Sequence, residues 1–530
     1  MLVAESLSTL WAYWPILLFV TIVTHHVRNK YHNGLAKYPG HPLAAYTNWW
    51  RFFENWSRST EKTHISLHRQ HGDIVRLGPN VLSFANPSTI KAIYGLGKGM
   101  TKSDFYPVQQ AVAKGVRLQS MFSTKDEEYH AKYRRCVSNA FAMSSLVSYE
   151  PRVDSTTDAF IQQTEQRYCK TGQSCNFSRW LQFFAFDVIG ELTWSQRIGF
   201  VERDEDVDGI VEFIGKFLSY AGPIGQMPFL DLLWEKNPVK LQLQKWGFDT
   251  TVFPVTKFAL AQSAKRAAEM DKIKHDGSLD ERRGADLLMK FTQAQHDHPE
   301  FMTDKQVLAS CTSMIFAGSE TTAISLSSIF YNLVKHPRVY QKLMEELDEA
   351  ARIGMIAERE NWKVSWAESQ KLPYLDAVIQ EAFRLHPAAG LILERVVPPQ
   401  GLTILGEHIP GGTIVGCNGW VLHRRPEIFG SDVDVFRPER WLEAKPDQLR
   451  EMKATMFQFG AGARTCVGKN ISLLEIYKLV PTFLRNFELE LERPGSEWRT
   501  WNAWFVRQLD FNTVFKRRTV PFPARKAGRD

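Results

Sequence analysis

One long helix in the middle of the chain restricts the fold more than any other feature of the sequence. A capping-box pattern opens at Thr303 with Gln306 three residues later, and the helical pattern continues to Lys335. About 33 helical residues rise about 50 Å, so the helix must cross the whole molecule. Its centre, residues 313–318, is apolar on nearly every side and is predicted to be buried. The rest of the chain is therefore expected to pack around this helix.

The remaining pattern is mainly helical with a few short strands. A β-hairpin is predicted from the alternating runs 74–77 and 81–84, which flank a Gly-Pro-Asn turn. Other predicted elements are helices starting at Pro87, over 374–385 and from 468 to about 487, and strand-like runs at 391–393, 413–415 and 498–515. We predict a mainly α fold with small β-sheets (α+β), built as one large domain over residues 38–530.

Composition narrows the class of protein. The length of 530 residues alone suggests several domains, but the chain has no internal repeat and no long low-complexity linker. The net charge of +7 is mild and does not indicate nucleic-acid binding. The six cysteines form no CxxC pair, which argues against a disulfide scaffold and a structural zinc site. No Gly-x-Ser-x-Gly elbow, His-Glu-x-x-His pair or complete phosphate-binding loop occurs.

The N-terminal segment predicts a membrane anchor. Residues 7–24 carry no charge, and about 18 apolar residues can just span about 30 Å of hydrocarbon. Arg28, Lys30 and Lys37 follow, which places the body on the cytosolic side. The alternative is a cleaved signal peptide, but no Lys or Arg precedes the apolar run and no small-x-small pattern follows it. We predict one transmembrane helix with its flank over residues 1–37.

A glycine-rich loop around Cys466 carries the strongest chemical signal. Two glycines before the cysteine permit a tight turn with positive φ, and Gly468 begins a helix whose N-terminus would stabilise a thiolate. Arg464 adds a positive charge for an anionic group, and Phe459 offers an apolar lid. The loop predicts a soft anionic metal ligand presented beneath a flat, acidic cofactor. The alternative is a buried cysteine in a glycine-rich turn.

The loop from Phe459 to Gly468 resembles the haem-binding signature of the cytochrome P-450 family, Phe-x-x-Gly-x-Arg-x-Cys-x-Gly, at every defining position. The resemblance implies haem b as the cofactor and Cys466 as the metal ligand, the axial thiolate of the iron. It also implies that Arg464, Phe459 and Gly460 bind the cofactor. The resemblance covers nearly the whole chain from residue 38 and implies the fold of this family.

The long buried helix carries a second match. Residues 317–322, Ala-Gly-Ser-Glu-Thr-Thr, resemble the family's oxygen-activation groove. The resemblance implies catalytic roles for Glu320 as the acidic residue and Thr321 as the hydroxyl. Gly318 would leave room for O₂ beside the helix. The alternative is that the Thr321 hydroxyl bonds to a carbonyl one turn earlier.

Glu381-x-x-Arg384 looks like the helix pair of the same family, and Arg440 matches the third member of its structural triad. The alternative is an ordinary surface ion pair with i, i+3 spacing. The resemblance assigns these three residues a supporting role for the cysteine loop, without a catalytic one.

Three further residues match positions that hold the haem propionates in this family. His130 stands four residues before Arg134, where the family often has Trp, and Arg395 matches another such position. The histidine is a departure that makes the contact titratable. The alternative for each arginine is a plain surface charge.

The resemblance implies monooxygenation of a lipophilic small molecule by hydroxylation, epoxidation or oxidative demethylation. It also implies electrons from an NADPH-cytochrome P-450 reductase on the same membrane, taken as the endoplasmic reticulum, with a cytosolic catalytic domain. The hairpin and the closing segment look similar to fungal, pisatin demethylase-like members, which suggests secondary-metabolite biosynthesis. The alternatives are a haem-thiolate isomerase or dehydratase that needs no reductase, and a non-catalytic haem-binding protein.

Two groups of side chains are expected to contact the partners. Basic residues predicted to attract an acidic reductase face are Lys132, Arg134, Arg135, Arg424 and Lys469. Apolar candidates for substrate contact are the loop 105–122, Met314, Phe316, Leu391, Ile392, Trp504 and Phe505. The apolar segment 213–234 is a candidate for a lid that dips into the membrane.

Overall fold

The computed structural model describes residues 2–248, 253–276 and 286–519. The α-helices are α1 (Leu2–Tyr31), α2 (Trp49–Trp56), α3 (Thr60–His71), α4 (Ser88–Tyr94), α5 (Glu127–Val137), α6 (Met143–Val147), α7 (Glu150–Thr164), α8 (Phe177–Trp194), α9 (Phe200–Arg203), α10 (Ile210–Gln226), α11 (Pro238–Lys245), α12 (Pro254–Asp276), α13 (Leu287–Asp297), α14 (Asp304–Lys335), α15 (Pro337–Arg352), α16 (Trp366–Ser369), α17 (Pro373–Leu385), α18 (Gly419–Leu422), α19 (Pro426–Phe429), α20 (Glu439–Glu443), α21 (Pro446–Thr455) and α22 (Lys469–Asn486).

The strands are short and far fewer residues belong to them. They are β1 (Ile74–Gly78), β2 (Val81–Phe84), β3 (Thr101–Lys102), β4 (Ala111–Ala113), β5 (Val116–Leu118), β6 (Cys175–Asn176), β7 (Arg395–Val396), β8 (Leu402–Ile404), β9 (Glu407–Ile409), β10 (Ile414–Cys417), β11 (Phe487–Leu491), β12 (Arg499–Asn502), β13 (Val506–Leu509) and β14 (Asn512–Arg517). The mainly helical fold with small sheets that the sequence predicts is confirmed.

The long central helix forms as predicted. Helix α14 runs for 32 residues, and Thr303 and Gln306 close a capping box at its start. It packs against α8, α12, α17 and α22, which bury most of its length. The largest core cluster extends from Phe105 to Phe515 and includes side chains of all these helices. Helix α14 is therefore the axis around which the helical layers are arranged.

The main sheet has the strand order β1-β2-β10-β7-β3, with β10 parallel to β2 and the other pairs antiparallel. The predicted hairpin forms its first two strands. The strand predicted at 391–393 is wrong, because the hydroxyl of Tyr94 donates to Leu393 O and accepts from Cys417 N, each at 2.8 Å. One backbone bond joins these segments, from Leu393 N to Cys417 O at 3.0 Å, but the tyrosine takes the place of the return bond, so strand β7 begins only at Arg395.

The end of α1 is fixed to the body by one buried arginine. Arg76 on β1 is 2% exposed and donates to Asn29 O at 2.8 Å and to Lys30 O at 2.7 Å. These carbonyls lie in the last turn of α1, where no further helical amide can reach them. Leu35 is fully buried in a core cluster with Tyr38, so packing begins before the predicted domain boundary after residue 37.

Across the described ranges, no helix combines the length and apolar character that crossing a bilayer would require. The predicted transmembrane helix is therefore not confirmed.

Candidate active site

The loop that precedes Cys466 has the tight geometry that its glycines allow. Gly460 and Gly462 both have a φ of +67°. A Cβ atom at Gly462 would overlap the carbonyl oxygen of Tyr94, so only glycine fits there. The amide of Cys466 donates to Phe459 O at 2.9 Å and closes the loop just before α22 begins. Local sequence thus determines where the thiol is presented.

The Cys466 side chain is accessible to solvent on one side and closely surrounded by protein on the others. Burial raises the pKa of the thiol above its ordinary value, although the amide of Gly468 and the charge of Arg134 act in the opposite direction. The amides of Gly468 and Lys469 at the start of α22 therefore favour the thiolate, as predicted, but burial outweighs them in the protein without a metal. A coordinated metal ion would remove the thiol proton outright.

Beside the loop lies a concentration of positive charge. Lys102 and Arg395 are each 5% exposed and stand directly opposite each other in the β3–β7 pair. Like charges in that register are unfavourable, and within the described part of the chain neither side chain has an ion pair. Burial lowers the pKa of Lys102 well below its ordinary value, and Arg395 and Arg464 lower it further. Two buried cations without a counter-charge fit an anionic ligand such as the carboxylates of haem.

His130 lies within the same cluster on α5. It is 3% exposed, and burial together with the charges of Arg464 and Lys102 lowers its pKa to about 3. The ring is therefore neutral and can donate one N–H to a carboxylate without adding charge. The haem fit thus rests on two cationic side chains, Lys102 and Arg395, one neutral donor, His130, and one accessible thiol.

Arg134 and Arg464, both of which the sequence predicts to bind the cofactor, hold protein groups. Arg134 donates through Nη1 to the carbonyls of Ala463 and Thr465, at 3.2 and 2.7 Å, and so supports the Cys466 loop. Arg464 pairs with Glu127 at 2.8 Å and donates to Met121 O at 3.1 Å.

Phe459, the predicted apolar lid, is half-buried. It packs edge-on against Phe383 of α17, with 5.5 Å between ring centroids.

On α14, the residues of the predicted oxygen-activation groove do not all lie on one side of the helix. Ala317 is exposed although most of this helix is buried, and the Thr321 hydroxyl donates to Ala317 O at 2.7 Å. The back-bonding alternative is thus the geometry found. A Cβ atom at Gly318 would overlap the δ-methyl of Ile189, so this glycine makes room for helix α8. Glu320 points away and bonds to Arg507 and Gln182.

The triad members meet in the interior behind the cysteine loop. Glu381 accepts from Arg384 at 2.8 and 2.9 Å and from Arg440 at 2.9 Å, and all three are nearly inaccessible. Burial alone would raise the pKa of Glu381, but the two guanidinium groups outweigh it and hold the pKa below its ordinary value. The surface ion pair alternative is therefore wrong.

The triad reaches the cysteine loop through His423. Arg384 donates to His423 O at 3.0 Å, and the amide of Phe457 donates to His423 Nε2 at 2.7 Å. Burial lowers the pKa of His423 to about 3, so its ring is neutral, with Nδ1 donating to Arg384 O. The carbonyl of Phe457 in turn accepts from Gly460 N at 2.9 Å. A continuous buried network thus supports the turn that presents Cys466.

Several predicted substrate-contact residues come together as an aromatic cluster. Trp504 lies 4.8 Å from Phe105 and 6.3 Å from Phe122, measured between ring centroids. Phe316 of α14 packs instead against Phe217 of α10, at 5.5 Å. The cluster joins a loop near residue 105 to the C-terminal segment, and it is aromatic with one ammonium at its edge, since Lys102 Nζ lies 4.2 Å from the centroid of the Phe122 ring.

Only some of the residues predicted to form a basic docking face are exposed. Lys132, Arg135 and Lys469 are exposed, whereas Arg134 is half-buried. Arg424 does not belong to this face: it donates to Trp420 O and Leu385 O, and burial lowers its pKa to about 10. Its guanidinium group therefore bonds to carbonyls within the protein and does not contribute to a docking face.

Sequence reasoning missed Lys102 and Arg507. Each meets a residue that is far away in the chain: Lys102 lies opposite Arg395, and Arg507 donates to Glu320. Neither lies in a motif, and the only signal at Lys102 is a lone cation in a weak strand pattern.

The fold and the site together define a haem-thiolate protein. A glycine-rich loop presents a cysteine beside the buried pair Lys102 and Arg395, which we call the cationic cradle, and the long helix α14 packs on α22, the helix that follows this loop. Comparison with known proteins gives the family. The family model described as Cytochrome P-450 matches residues 39–509, and the chain belongs to this family. Its members are haem-thiolate enzymes with a cysteine axial ligand, and the chain is a monooxygenase.

Individual relatives are fungal. The chain is 40% identical to a cytochrome P-450 monooxygenase of Aspergillus terreus, over 90% of this chain and 93% of the relative. It is 39% identical to the cytochrome P-450 monooxygenase cicH of Emericella nidulans, over 95% and 97%. It is 36% identical to mpaDE of Penicillium roqueforti over 91% of this chain, which covers 55% of that longer protein.

Proposed function

We propose that this protein inserts one oxygen atom from O₂ into a lipophilic small molecule, by hydroxylation, epoxidation or oxidative demethylation, in fungal secondary metabolism. The cationic cradle beside the Cys466 loop is the observation that carries the proposal, because an enclosed anionic cofactor explains Lys102 opposite Arg395. When bound, haem supplies the binding and reductive activation of O₂. The protein orients the substrate and delivers protons.

Each part of the chain has a distinct task in this proposal. Cys466 would supply its sulfur to the iron of bound haem, while Lys102, His130 and Arg395 would hold the haem carboxylates. Thr321, bonded to Ala317 O in the groove, holds a proton close to the accessible face of α14. The aromatic cluster of Phe105, Phe122 and Trp504 offers an apolar contact surface for a lipophilic substrate.

Labelled dioxygen tests the reaction class. With NADPH and a cytochrome P-450 reductase, we expect one label atom in the product, with the other recovered in water. Label-free product formed without NADPH would support the haem-thiolate isomerase or dehydratase instead. Haem bound without any turnover across a panel of lipophilic compounds would favour the non-catalytic haem-binding protein.

We propose that the exposed residues Lys132, Arg135 and Lys469 dock an acidic face of NADPH-cytochrome P-450 reductase. Exposed charges steer association mainly at low ionic strength. Charge reversal at Arg135 should slow turnover at low salt and have little effect at high salt. If the turnover of the wild type and of the Arg135 variant is equally insensitive to salt, these residues do not dock the reductase.

We also propose that the protein associates with the endoplasmic reticulum membrane, with its catalytic domain on the cytosolic side. Apolar side chains of α1 between residues 16 and 23 are exposed, as are Trp49, Phe53 and Trp56 of α2 and Phe229 and Trp234 beyond α10. Exposed apolar patches of this kind mark interaction surfaces. Carbonate extraction and protease protection would separate an embedded α1 from a peripheral one.

A further inference from the structure

A small polar cavity lies between the N-terminal helices α2 and α3, the end of α10 and the segment before β7. It measures about 10 Å³, which is the space of one water-sized group. Phe105, Leu391 and Ile392 form apolar parts of its wall, and the sequence predicts all three to contact substrate. Phe105 also packs against Trp504, with 4.8 Å between the ring centroids. The cavity therefore adjoins the aromatic cluster that is proposed to contact the substrate.

Asn55 of α2 brings an unused hydrogen-bond acceptor to this cavity. The residue is 1% exposed and lines the wall. Its Nδ2 donates to Thr60 Oγ1 at 3.4 Å, but within the described ranges its Oδ1 has no hydrogen-bonding partner. A buried amide oxygen without a partner is unfavourable, and a donor on a bound ligand would remove that cost.

His64 of α3 supplies a donor at the same cavity. Burial lowers the pKa of His64 to about 3, so the ring is neutral. Asn418 Oδ1 accepts from Trp420 N at 3.0 Å, which directs Asn418 Nδ2 toward His64 Nδ1 at 3.1 Å. Because the amide donates to Nδ1, the ring proton lies on Nε2. The residues that the structure describes supply no acceptor for this proton.

The charges around the cavity favour a neutral ligand group. Arg51 pairs with Glu394, so its positive charge is already balanced. Glu54 adds a further carboxyl group to the wall, and burial raises its pKa. No cation is therefore left to hold a carboxylate in the described wall. A hydroxyl can donate to Asn55 and accept from His64 at once, whereas an ammonium has no lone pair with which to accept.

We propose that this cavity is a recognition site for a neutral hydroxyl group on the substrate, with Asn55 Oδ1 as its acceptor and His64 Nε2 as its donor. The apolar body of the substrate lies against Phe105 and Leu391, and the hydroxyl fixes the orientation of that body. The substrate is therefore a lipophilic alcohol or phenol. This inference rests on the proposed monooxygenase function and names the class of its substrate.

Equilibrium dialysis of the haem-loaded, full-length protein tests the preference with two probes of similar shape, β-naphthol and β-methylnaphthalene. A protein-free chamber with the same detergent corrects for partition of each probe. The wild type should bind β-naphthol about two- to tenfold more tightly, the range for one net hydrogen bond. A third probe, β-naphthoate, should bind no more tightly than β-methylnaphthalene, because no cation is free to hold it.

Asn55→Leu removes the acceptor and nearly keeps the side-chain shape, so the preference for β-naphthol should disappear. Without a probe, the unfolding midpoint should hardly change, because only the long bond to Thr60 is lost. Asn48→Leu is the matched control. Asn48 stands just before the same helix and lies outside the cavity wall, and its Oδ1 is also unpartnered in the part of the chain that the structure describes. This control should keep the preference.

Three results would overturn the inference. They are a wild type that binds β-naphthol no better than β-methylnaphthalene, an unchanged preference in Asn55→Leu, and β-naphthoate as the tightest ligand. In the first two cases the cavity holds an ordered water only. If Asn55→Leu does not fold, Asn55→Ala takes its place. The proposed function fails separately, if the wild type forms no labelled product, since dialysis measures the preference without turnover.

Discussion

The support of the Cys466 loop and the support of Glu320 differ in how far their partners can move. Glu381, Arg384 and His423 are fully buried, and the bonds that connect them end at the amide of Phe457, just before the loop. Glu320 depends on Arg507, which is partly exposed and lies on a strand beneath α10. The proposed metal-ligand side is thus a fixed scaffold, whereas the proposed proton-delivery side has a partly exposed partner.

Arg384→Ala should give the largest effect, because it breaks the fixed scaffold. It leaves Glu381 buried with one guanidinium fewer, and breaking such a buried pair costs about 3–5 kcal/mol. We expect a large loss of denaturant stability and of bound haem. Arg384→Lys should also fail, since an ammonium cannot replace the forked contacts. Wild-type stability of Arg384→Ala would show that the network does not support the loop.

Thr321→Ala tests the proposed role of the Thr321 hydroxyl in proton delivery. Haem binding and folding should persist, because the lost bond is a single helical back-bond. Product per NADPH should fall by about 10²-fold, the low end for a positioned proton donor, with peroxide formed instead. Thr321→Ser keeps the hydroxyl and is the control. Equal coupling in Thr321→Ala and wild type would exclude Thr321 from proton delivery.

Lys102→Met should have opposite effects on the haem-free and haem-bound proteins. Without haem, the change removes a buried charge opposite Arg395 and should raise the unfolding midpoint. With haem, it removes a charge-assisted bond worth about 1.5–3 kcal/mol, which weakens haem retention about 10- to 100-fold. Haem transfer to an acceptor protein measures the second effect. A change of the same sign in both forms would contradict the cradle.

His423 should make the fixed scaffold sensitive to acid. Burial lowers its pKa from 6.5 to about 3, so the unfolded chain binds a proton that the folded protein does not. Its contribution to stability is complete above pH 6.5 and is lost as the pH falls toward 3. One such group contributes a slope of about 1.4 kcal/mol per pH unit.

Urea unfolding of wild type and His423→Gln between pH 7 and 5 measures that slope. The variant should have a lower free energy of unfolding than the wild type. That free energy should also change less with pH, by the slope that corresponds to about one bound proton. Identical slopes would mean that His423 is protonated in the folded protein.

Contiguous signals in the sequence predicted much of the structure. The capping box at Thr303 defined α14, and the glycine pattern before Cys466 predicted the positive φ values, because both depend on nearby residues. The meeting of Glu381 with Arg384 also follows from helical spacing.

Contacts between distant segments were not predictable in this way. No local pattern places Arg507 against Glu320 or Lys102 opposite Arg395, since tertiary packing brings them together. The same holds for the Tyr94 hydroxyl that interrupts the strand predicted at 391–393. Arg424 seemed a surface charge because its carbonyl partners are also set by the fold.

The spectrum of the reduced protein with carbon monoxide tests the central claim, that Cys466 is the thiolate ligand of haem iron. The wild-type protein should show the red-shifted Soret band of thiolate ligation. Cys466→Ser should lose that band, while Cys136→Ser, at a partly buried cysteine of α5, should keep it. A histidine-type band in the wild type, or an unchanged band in Cys466→Ser, would contradict the assignment.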